Sequence, residues 1–215
     1  MNIPFVSAGL AINFLAVVTY TGLLLRKLRS AAAKLEELAT HDVLTGLPNR
    51  RLIMEHLRHA IAVNRRHRRT VTCVYFDLDG FKVINDMHGH AVGDLLLQEV
   101  GKRVRTLLRD TDLLARLGGD EFTIVLDSVQ SRDGAEVICR RIIQAVESIA
   151  QIAEHSISIS VSIGCVMVPV HLAGDVASDE AILHQADECM YQSKRAGRGR
   201  FTIDEYSVPS AKIAA

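Results

Sequence analysis

The sequence predicts an α/β domain over residues 40–205, preceded by an apolar N-terminal helix. Three observations lead to this prediction. Residues 71–76 (VTCVYF) form a β-branched and aromatic run that is typical of a buried strand. Stretches in which apolar residues recur at helical spacing lie on both sides of such runs. Residues 3–25 contain no charged residue, over a length that can cross a hydrocarbon core about 30 Å thick.

The apolar N-terminus predicts one transmembrane helix over residues 1–25. A cleaved signal peptide is one alternative, but the segment lacks a basic n-region and a clear cleavage site. A buried core helix is another. Arg26, Lys27 and Arg29 follow the apolar run directly, and the positive-inside rule then places the C-terminal side in the cytoplasm. We therefore expect a single-pass protein of the inner (cytoplasmic) membrane.

Residues 26–39 predict a helical linker, because they are rich in helix formers and lack Gly and Pro. Leu28, Ala32, Leu35 and Ala39 follow a 4-3-4 spacing that fits a short coiled-coil seam. A plain amphipathic helix fits two heptads equally well.

The elements of the following domain are predicted in chain order. Asn49 caps a helix with an apolar face, and strand 71–76 ends at Asp77. Two apolar runs flank Gly118 and Gly119, which indicates a hairpin. Three further helices are predicted over 94–108, 134–149 and 180–195. Strict alternation over 156–164 (SISISVSIG) predicts a half-buried strand, and residues 206–215 form a C-terminal tail.

Composition narrows the functional class. The 25 basic and 25 acidic side chains balance, so no global positive field favours nucleic acid as a partner. Four cysteines without CxxC spacing are expected to be reduced, core-filling thiols: Cys73, Cys139, Cys165 and Cys189.

Four carboxylates lie in two predicted turns. Asp77 and Asp79 end a buried strand, and Asp120 and Glu121 occupy a hairpin tip. If the fold separates the turns, the acidic tip needs no ligand. If the fold joins them, mutual repulsion raises some pKa values or requires a cation, for which Mg²⁺ with substrate phosphates is suited. Metal-assisted phosphoryl or nucleotidyl transfer is the chemistry that such a site favours.

Five sequence motifs cover most of the predicted domain. They are residues 41–50 (HDVLTGLPNR), 76–94 (FDLDGFKVINDMHGHAVGD), 118–122 (GGDEF), 160–164 (SVSIG) and 186–198 (ADECMYQSKRAGR). In content and order they resemble the motifs of the GGDEF family of diguanylate cyclases, of which 118–122 is the signature and 41–50 the opening motif. The resemblance implies a palm-like, ferredoxin-related fold whose mostly antiparallel central sheet is flanked by helices.

The resemblance also implies a role for each matching residue. It implies two Mg²⁺ ions per active site, with Mn²⁺ as an alternative, held by Asp77, the Leu78 carbonyl, Asp120 and Glu121. Glu121 and Asp120 correspond to the catalytic carboxylates. Asn85 and Asp94 correspond to the family's guanine-binding residues. The family's phosphate-binding cations correspond to Lys82, Lys194 and Arg198. Gly199 departs from the family, which usually has Asn there.

Regulation and assembly are implied in the same way. Arg109 and Asp112 form an R-x-x-D motif, with five residues between Asp112 and Gly118, that matches the family's inhibitory site for the product. Arg141 is a candidate for a second guanidinium at this site. The expected activity is condensation of two GTP into cyclic di-GMP in a homodimer, with product inhibition. The alternative is a catalytically weak module that senses GTP or cyclic di-GMP.

Overall fold

The computed structural model describes residues 3–127, 129–169, 172 and 178–207, and for residues 3–16, 18, 32 and 33 it describes the backbone alone. The chain divides into two compact units, Met1–Ala39 and Thr40–Ala215. Its elements, within the described residues, are α1 Ile3–Thr40, α2 Arg50–His67, β1 Val71–Asp79, α3 Phe81–His88, α4 His90–Arg105, β2 Leu113–Gly118, β3 Glu121–Leu126, α5 Arg132–Glu147, β4 Gln151–Ile152, β5 His155–Ser156, β6 Ser160–Val168, α6 Asp179–Arg195 and β7 Phe201–Glu205.

In the first unit, residues 3–39 belong to one continuous helix, α1, which includes the predicted linker and the described part of the predicted span. Within the described part of the chain, no helix has both the length and the apolarity that a membrane crossing requires. The predicted span is therefore not confirmed, and the side chains of residues 3–16 and 18 lie outside the description. In the linker, Leu28 and Leu35 of the predicted seam are exposed.

The second unit is built on a five-stranded sheet of order β2-β3-β1-β6-β7. Strand β1 pairs antiparallel with both β3 and β6, and β2 pairs antiparallel with β3. Only the pairing of β6 with β7, among those described, is parallel. The mostly antiparallel sheet flanked by helices is confirmed.

Side chains of β1 alternate between two apolar layers. Val74, Phe76 and Leu78 pack in the layer that α3, α4 and α5 cover. Cys73 and Tyr75 pack in the opposite layer, which α2 and α6 cover. All four cysteines are free and buried, as predicted. Because both faces of the sheet are covered, the central strands are buried on both sides.

The predicted half-buried strand over 156–164 is wrong in two respects. Ser156 belongs to the small β4–β5 hairpin, and the sheet strand begins at Ser160. From Val161 to Val168 every residue of β6 is buried. Over residues 156–160 the alternation does follow exposure, since Ser156 and Ser158 are exposed and Ile157 and Ile159 are buried. Within the sheet strand it does not: Ser162 is fully buried and donates to Asp79, so this serine reflects an internal hydrogen bond and not a solvent face.

Local signals explain where the helices begin. The Asn49 side chain accepts hydrogen bonds from the backbone N–H groups of Arg51 and Leu52, so the predicted cap of α2 is confirmed. Ser131 and Ser178 cap α5 and α6 in the same way. Helix α4 begins at His90, four residues before its predicted start. The short helix α3 and the edge strand β7 were not predicted.

Candidate active site

The sheet brings the two acidic turns together. Asp77, near the end of β1, lies opposite Glu121, the first residue of β3. Gly118 and Gly119 have φ angles of 146° and 54°, which close the hairpin in backbone conformations that favour glycine. Behind the carboxylates, the rings of Phe76 and Phe122 stack with centroids 5.2 Å apart. Of the two alternatives left open by the sequence, the one with joined turns is therefore observed.

Helix α6 supplies a cation to this cluster. The Lys194 Nζ lies 2.7 Å from the Asp77 Oδ1, and both side chains are mostly buried, with exposures of 29% and 13%. Helix α6 can approach β6 closely because of Gly164: a Cβ there would lie 1.9 Å from the Ala186 carbonyl oxygen and 2.3 Å from the Met190 nitrogen. The Lys194 ammonium is thus positioned by backbone-to-backbone packing.

The site is strained electrostatically. Burial raises the pKa of Asp77 above its usual value; the Lys194 ammonium opposes this rise, and the negative charges of Asp120 and Asp79 add to it. Burial likewise raises the pKa of Asp120, against the opposing effects of its own backbone N–H and of Lys194, while Glu121 adds to the rise. The pKa values of both carboxyls remain raised although Lys194 acts on both and Arg116 also acts on Asp120, so the site favours a further cation.

Mg²⁺ fits this donor set. It is usually bound through one or two carboxylates together with substrate phosphates, and it keeps several water ligands. The carboxylates of Asp77, Asp120 and Glu121 and the carbonyl of Leu78 all belong to the end of β1 or to the hairpin tip. Within the described residues, no three His, Cys, Asp or Glu side chains form a ready-made metal cluster.

Asp79 holds the loops of the site in place. Its carboxylate accepts hydrogen bonds from the hydroxyls of Ser162 and Ser160 at 2.8 and 2.9 Å and from the Gly199 backbone N–H at 3.1 Å. Only 4% of the Asp79 side chain is exposed, and the Arg198 Nε lies 3.8 Å from it. With its oxygens engaged in this way, Asp79 connects β1 to β6 and to the turn that contains Arg198.

The Gly199 departure from the family is explained by this turn. Gly199 has a φ of 57°, in the left-handed region that glycine and asparagine adopt most readily among the common residues. The Gly199 backbone N–H donates a hydrogen bond to the Asp79 carboxylate. Replacing the usual Asn by Gly therefore preserves both the backbone conformation and the anchoring hydrogen bond.

The residues assigned to guanine lie on two consecutive helices. Asn85 is in α3 and half-buried, and Asp94 is in α4 and exposed, with Gly89 as the turn between the helices. Lys82 is exposed in the first turn of α3, where the first N–H groups of the helix have no intrahelical acceptors. Both the guanine pair and Lys82 thus remain accessible to a ligand.

The proposed inhibitory residues surround a separate cavity. A cavity of about 420 Å³ is lined by Arg109, Asp112 and Arg141, together with apolar residues of β3 and α5. Arg109 and Arg141 are exposed, whereas Asp112 is 4% exposed. Asp112 accepts from the backbone N–H groups of Arg109 and Asp127, so it braces the turn in addition to lining the cavity.

Comparison with known proteins agrees with this geometry. The family model described as "Diguanylate cyclase, GGDEF domain" matches residues 39–200. The chain belongs to this family.

Individual relatives and structures of GGDEF domains extend the match. The bifunctional diguanylate cyclase/cyclic di-GMP phosphodiesterase MucR of Pseudomonas aeruginosa is 38% identical over 188 residues, which cover 87% of this chain and 27% of MucR. The diguanylate cyclase TpbB of the same organism is 38% identical over 184 residues, 85% of this chain and 41% of TpbB. This chain therefore spans less than half the length of either relative. The crystal structure of the coiled coil and GGDEF domain of DgcB from Caulobacter crescentus, in complex with c-di-GMP, matches with a TM-score of 0.80 at 26% identity, over 89% of this chain and 99% of that one.

One clamp in this GGDEF domain was missed by the sequence analysis. The Arg116 guanidinium donates from Nε and Nη2 to the Gly119 carbonyl, at 2.9 and 2.8 Å, and its Nη1 lies 2.8 Å from the Asp42 Oδ1. Burial alone would raise the pKa of Asp42, but hydrogen bonds from Thr45 and Arg116 lower it below its usual value. The position of Asp42 in the opening motif was the available sign that this residue has a role. Its partner, Arg116, is 74 residues away in the sequence.

Proposed function

We propose that this chain is a diguanylate cyclase that condenses two GTP molecules into cyclic di-GMP and two pyrophosphates. The observation that supports it most directly is the pairing of Asp77 with Glu121 at the GGDEF tip, with the Lys194 ammonium beside the Asp77 carboxylate. Carboxylates that favour a bound cation, together with a lysine, can stabilise the negative charge on the phosphates during transfer of a nucleotidyl group.

The reaction divides into two equivalent steps. In each step the 3′-oxygen of one GTP forms a bond to the α-phosphorus of the other, the bond from that phosphorus to the bridging oxygen breaks, and pyrophosphate leaves. Glu121 accepts the proton of the attacking hydroxyl, and Asp120 lies beside it in the hairpin. Lys82, Lys194 and Arg198 neutralise the β- and γ-phosphates. Two bound Mg²⁺ ions, or Mn²⁺, would supply charge stabilisation at the α-phosphate, with Asp77, Asp120, Glu121 and the Leu78 carbonyl as ligands.

Guanine is selected by Asn85 and Asp94. The Asp94 carboxylate accepts from the N1–H and the amino group of guanine, and adenine lacks this pair of donors. A bound adenine would cover the carboxylate without supplying its partners, which is unfavourable.

Two copies of the chain are required, because each protomer presents one GTP. The exposed Leu28 and Leu35 of α1 support a parallel pairing of linkers. We further propose that residues 3–25 span the inner membrane and hold the cyclase domain in the cytoplasm. The support is the uncharged run itself and the basic residues Arg26, Lys27 and Arg29 that follow it.

Product inhibition is proposed at the cavity of Arg109, Asp112 and Arg141. Two exposed guanidiniums at one cavity suit the phosphates of cyclic di-GMP. Because Asp112 also braces the turn, replacing Arg109 separates inhibition from folding better than replacing Asp112.

The test uses the full chain in nanodiscs with GTP and Mg²⁺, beside Glu121→Gln and the matched control Glu188→Gln, an exposed residue of α6. Products are followed by chromatography and mass spectrometry. Cyclic di-GMP from the wild type and from Glu188→Gln, but not from Glu121→Gln, is the expected result. A dimeric wild type that binds GTP or cyclic di-GMP without turnover would instead show a sensor module.

A further inference from the structure

Gly93, a buried glycine of α4, lies against the side chain of Asn85 in α3. A Cβ on Gly93 would lie 1.9 Å from the Asn85 Oδ1, 2.9 Å from the Asn85 Cγ and 3.2 Å from the Phe81 Cζ. Contacts below 3.0 Å do not occur for real Cβ atoms, so an alanine at position 93 would displace the Asn85 amide. Gly93 is therefore the surface against which the Asn85 side chain rests.

The contact also decides which way the amide faces. The Asn85 Oδ1 is buried and has no hydrogen-bond partner within the described part of the chain. It lies along the direction in which a Gly93 Cα hydrogen points, and a Cα–H group is a weak donor to a carbonyl oxygen. In the flipped orientation the amide NH₂, which can only donate, would face the same Cα–H donor, which is less favourable. The oxygen therefore lies inward and the NH₂ outward.

We propose that Gly93 is a positioning residue for nucleotide selectivity, because it fixes the Asn85 amide with its NH₂ group toward the base. This inference rests on the proposed function. The N1–H and the amino group of guanine donate to Asp94. Guanine also has an acceptor, O6, where adenine has an amino donor. An outward NH₂ at Asn85 complements O6 and opposes the adenine amino group.

A second buried glycine of the same helix provides the matched control. A Cβ on Gly101 would meet the Leu47 Cδ1 at 2.9 Å, the end of a flexible side chain, and no atom of the proposed base site. Gly93→Ala and Gly101→Ala gain the same intrinsic helix propensity, and each brings the new Cβ within 3.0 Å of one neighbouring side chain, Asn85 or Leu47. Only the first contact involves Asn85.

The experiment measures binding of α,β-methylene GTP and α,β-methylene ATP to the full chain in nanodiscs by calorimetry. Gly93→Ala should weaken the GTP analogue roughly ten- to a hundredfold and reduce the preference over the ATP analogue, while Gly101→Ala preserves both. In an Asn85→Ala background, Gly93→Ala should add less than about a twofold change, because the displaced amide is already absent. A general packing defect would lower both affinities together and would persist in that background.

Asn85→Asp keeps the shape of the side chain and replaces the outward donor by an acceptor, so it tests the orientation even if Gly93→Ala does not fold. The preference for the GTP analogue should shift toward the ATP analogue. An unchanged preference in Asn85→Asp, or equal effects of Gly93→Ala and Gly101→Ala, would overturn the inference and leave the cyclase proposal intact. A wild type that binds neither analogue would overturn both.

Discussion

At the scale of single residues, two acidic residues near the end of β1, Asp77 and Asp79, have different roles. Asp77 faces the hairpin tip and Lys194, whereas Asp79 is surrounded by hydrogen-bond donors from β6 and from the turn at Gly199. Both side chains point to the same face of the sheet, since they are two positions apart. The family resemblance assigned metal binding to Asp77 and not to Asp79, but the bracing role of Asp79 could not be predicted, because its donors come from residues 81 to 120 positions away.

Asp79→Asn should destabilise the fold by about 1–3 kcal/mol, because one oxygen becomes an NH₂ group that faces other donors. The looser Arg198 turn should also raise the KM for GTP. Chemical denaturation and initial rates measure the two effects. The exposed Asp204→Asn serves as the control and should change neither quantity; equal effects from the two variants would refute the bracing role.

The raised pKa values of Asp77 and Asp120 predict a pH dependence of metal stabilisation. A carboxyl whose folded-state pKa is raised contributes stability below its unfolded pKa of about 4, and that contribution is lost as pH rises through the folded-state pKa. Mg²⁺ binds the charged carboxylates and offsets this loss. The increase in Tm on adding Mg²⁺ should therefore be larger at neutral pH than near pH 4, as scanning calorimetry can show. Asp77→Asn should reduce the difference, and a pH-independent increase would contradict the prediction.

At the scale of elements, the hairpin tip depends on the Arg116 clamp. Two hydrogen bonds from Arg116 converge on the Gly119 carbonyl oxygen, directly before Asp120 and Glu121, and the third contact connects the clamp to Asp42. A planar guanidinium can make these contacts together, and an ammonium cannot.

Arg116→Lys should lower kcat roughly ten- to a hundredfold through misplacement of the tip carboxylates. Arg103→Lys is the control, since Arg103 also contacts a carboxylate and a second acceptor, Glu99 and Ser148, but far along α4. Steady-state kinetics compares the variants. If both lose kcat equally, the clamp has no particular role in catalysis.

The elements that sequence could predict were those with a local signal. Asn49 as a cap, the strand before Asp77 and the hairpin at Gly118 were all readable from neighbouring residues. Helix α3 has eight residues, too few for a periodic pattern, and β7 is an edge strand that depends on parallel pairing with β6. The Gly93 contact and the Arg116 clamp join segments through tertiary packing, for which the sequence offers no local signature.

At the scale of the whole molecule, the proposed chemistry needs two copies, and the linker offers exposed leucines to join them. Leu28→Glu with Leu35→Glu should introduce repulsion across a parallel seam. The dimer dissociation constant should rise by roughly tenfold or more, and the specific activity should become strongly dependent on protein concentration.

Sedimentation in detergent and rates over a concentration series measure this outcome. A charge swap outside the seam, Lys34→Glu with Glu37→Lys, preserves the i,i+3 pair and the net charge and is the control. An unchanged association in the leucine variant would place the dimer contact elsewhere.

The close approach of α6 to β6 limits how this protein can vary. Lys194 is placed by main-chain contact at Gly164, where a single added carbon would meet the Ala186 carbonyl. Apolar core side chains can be exchanged for others of similar volume while the helices keep their positions. No such exchange compensates for an atom inserted between two backbones. Under random mutagenesis with selection for product, the apolar core positions should diversify, whereas residue 164 should remain glycine although it does not belong to the site.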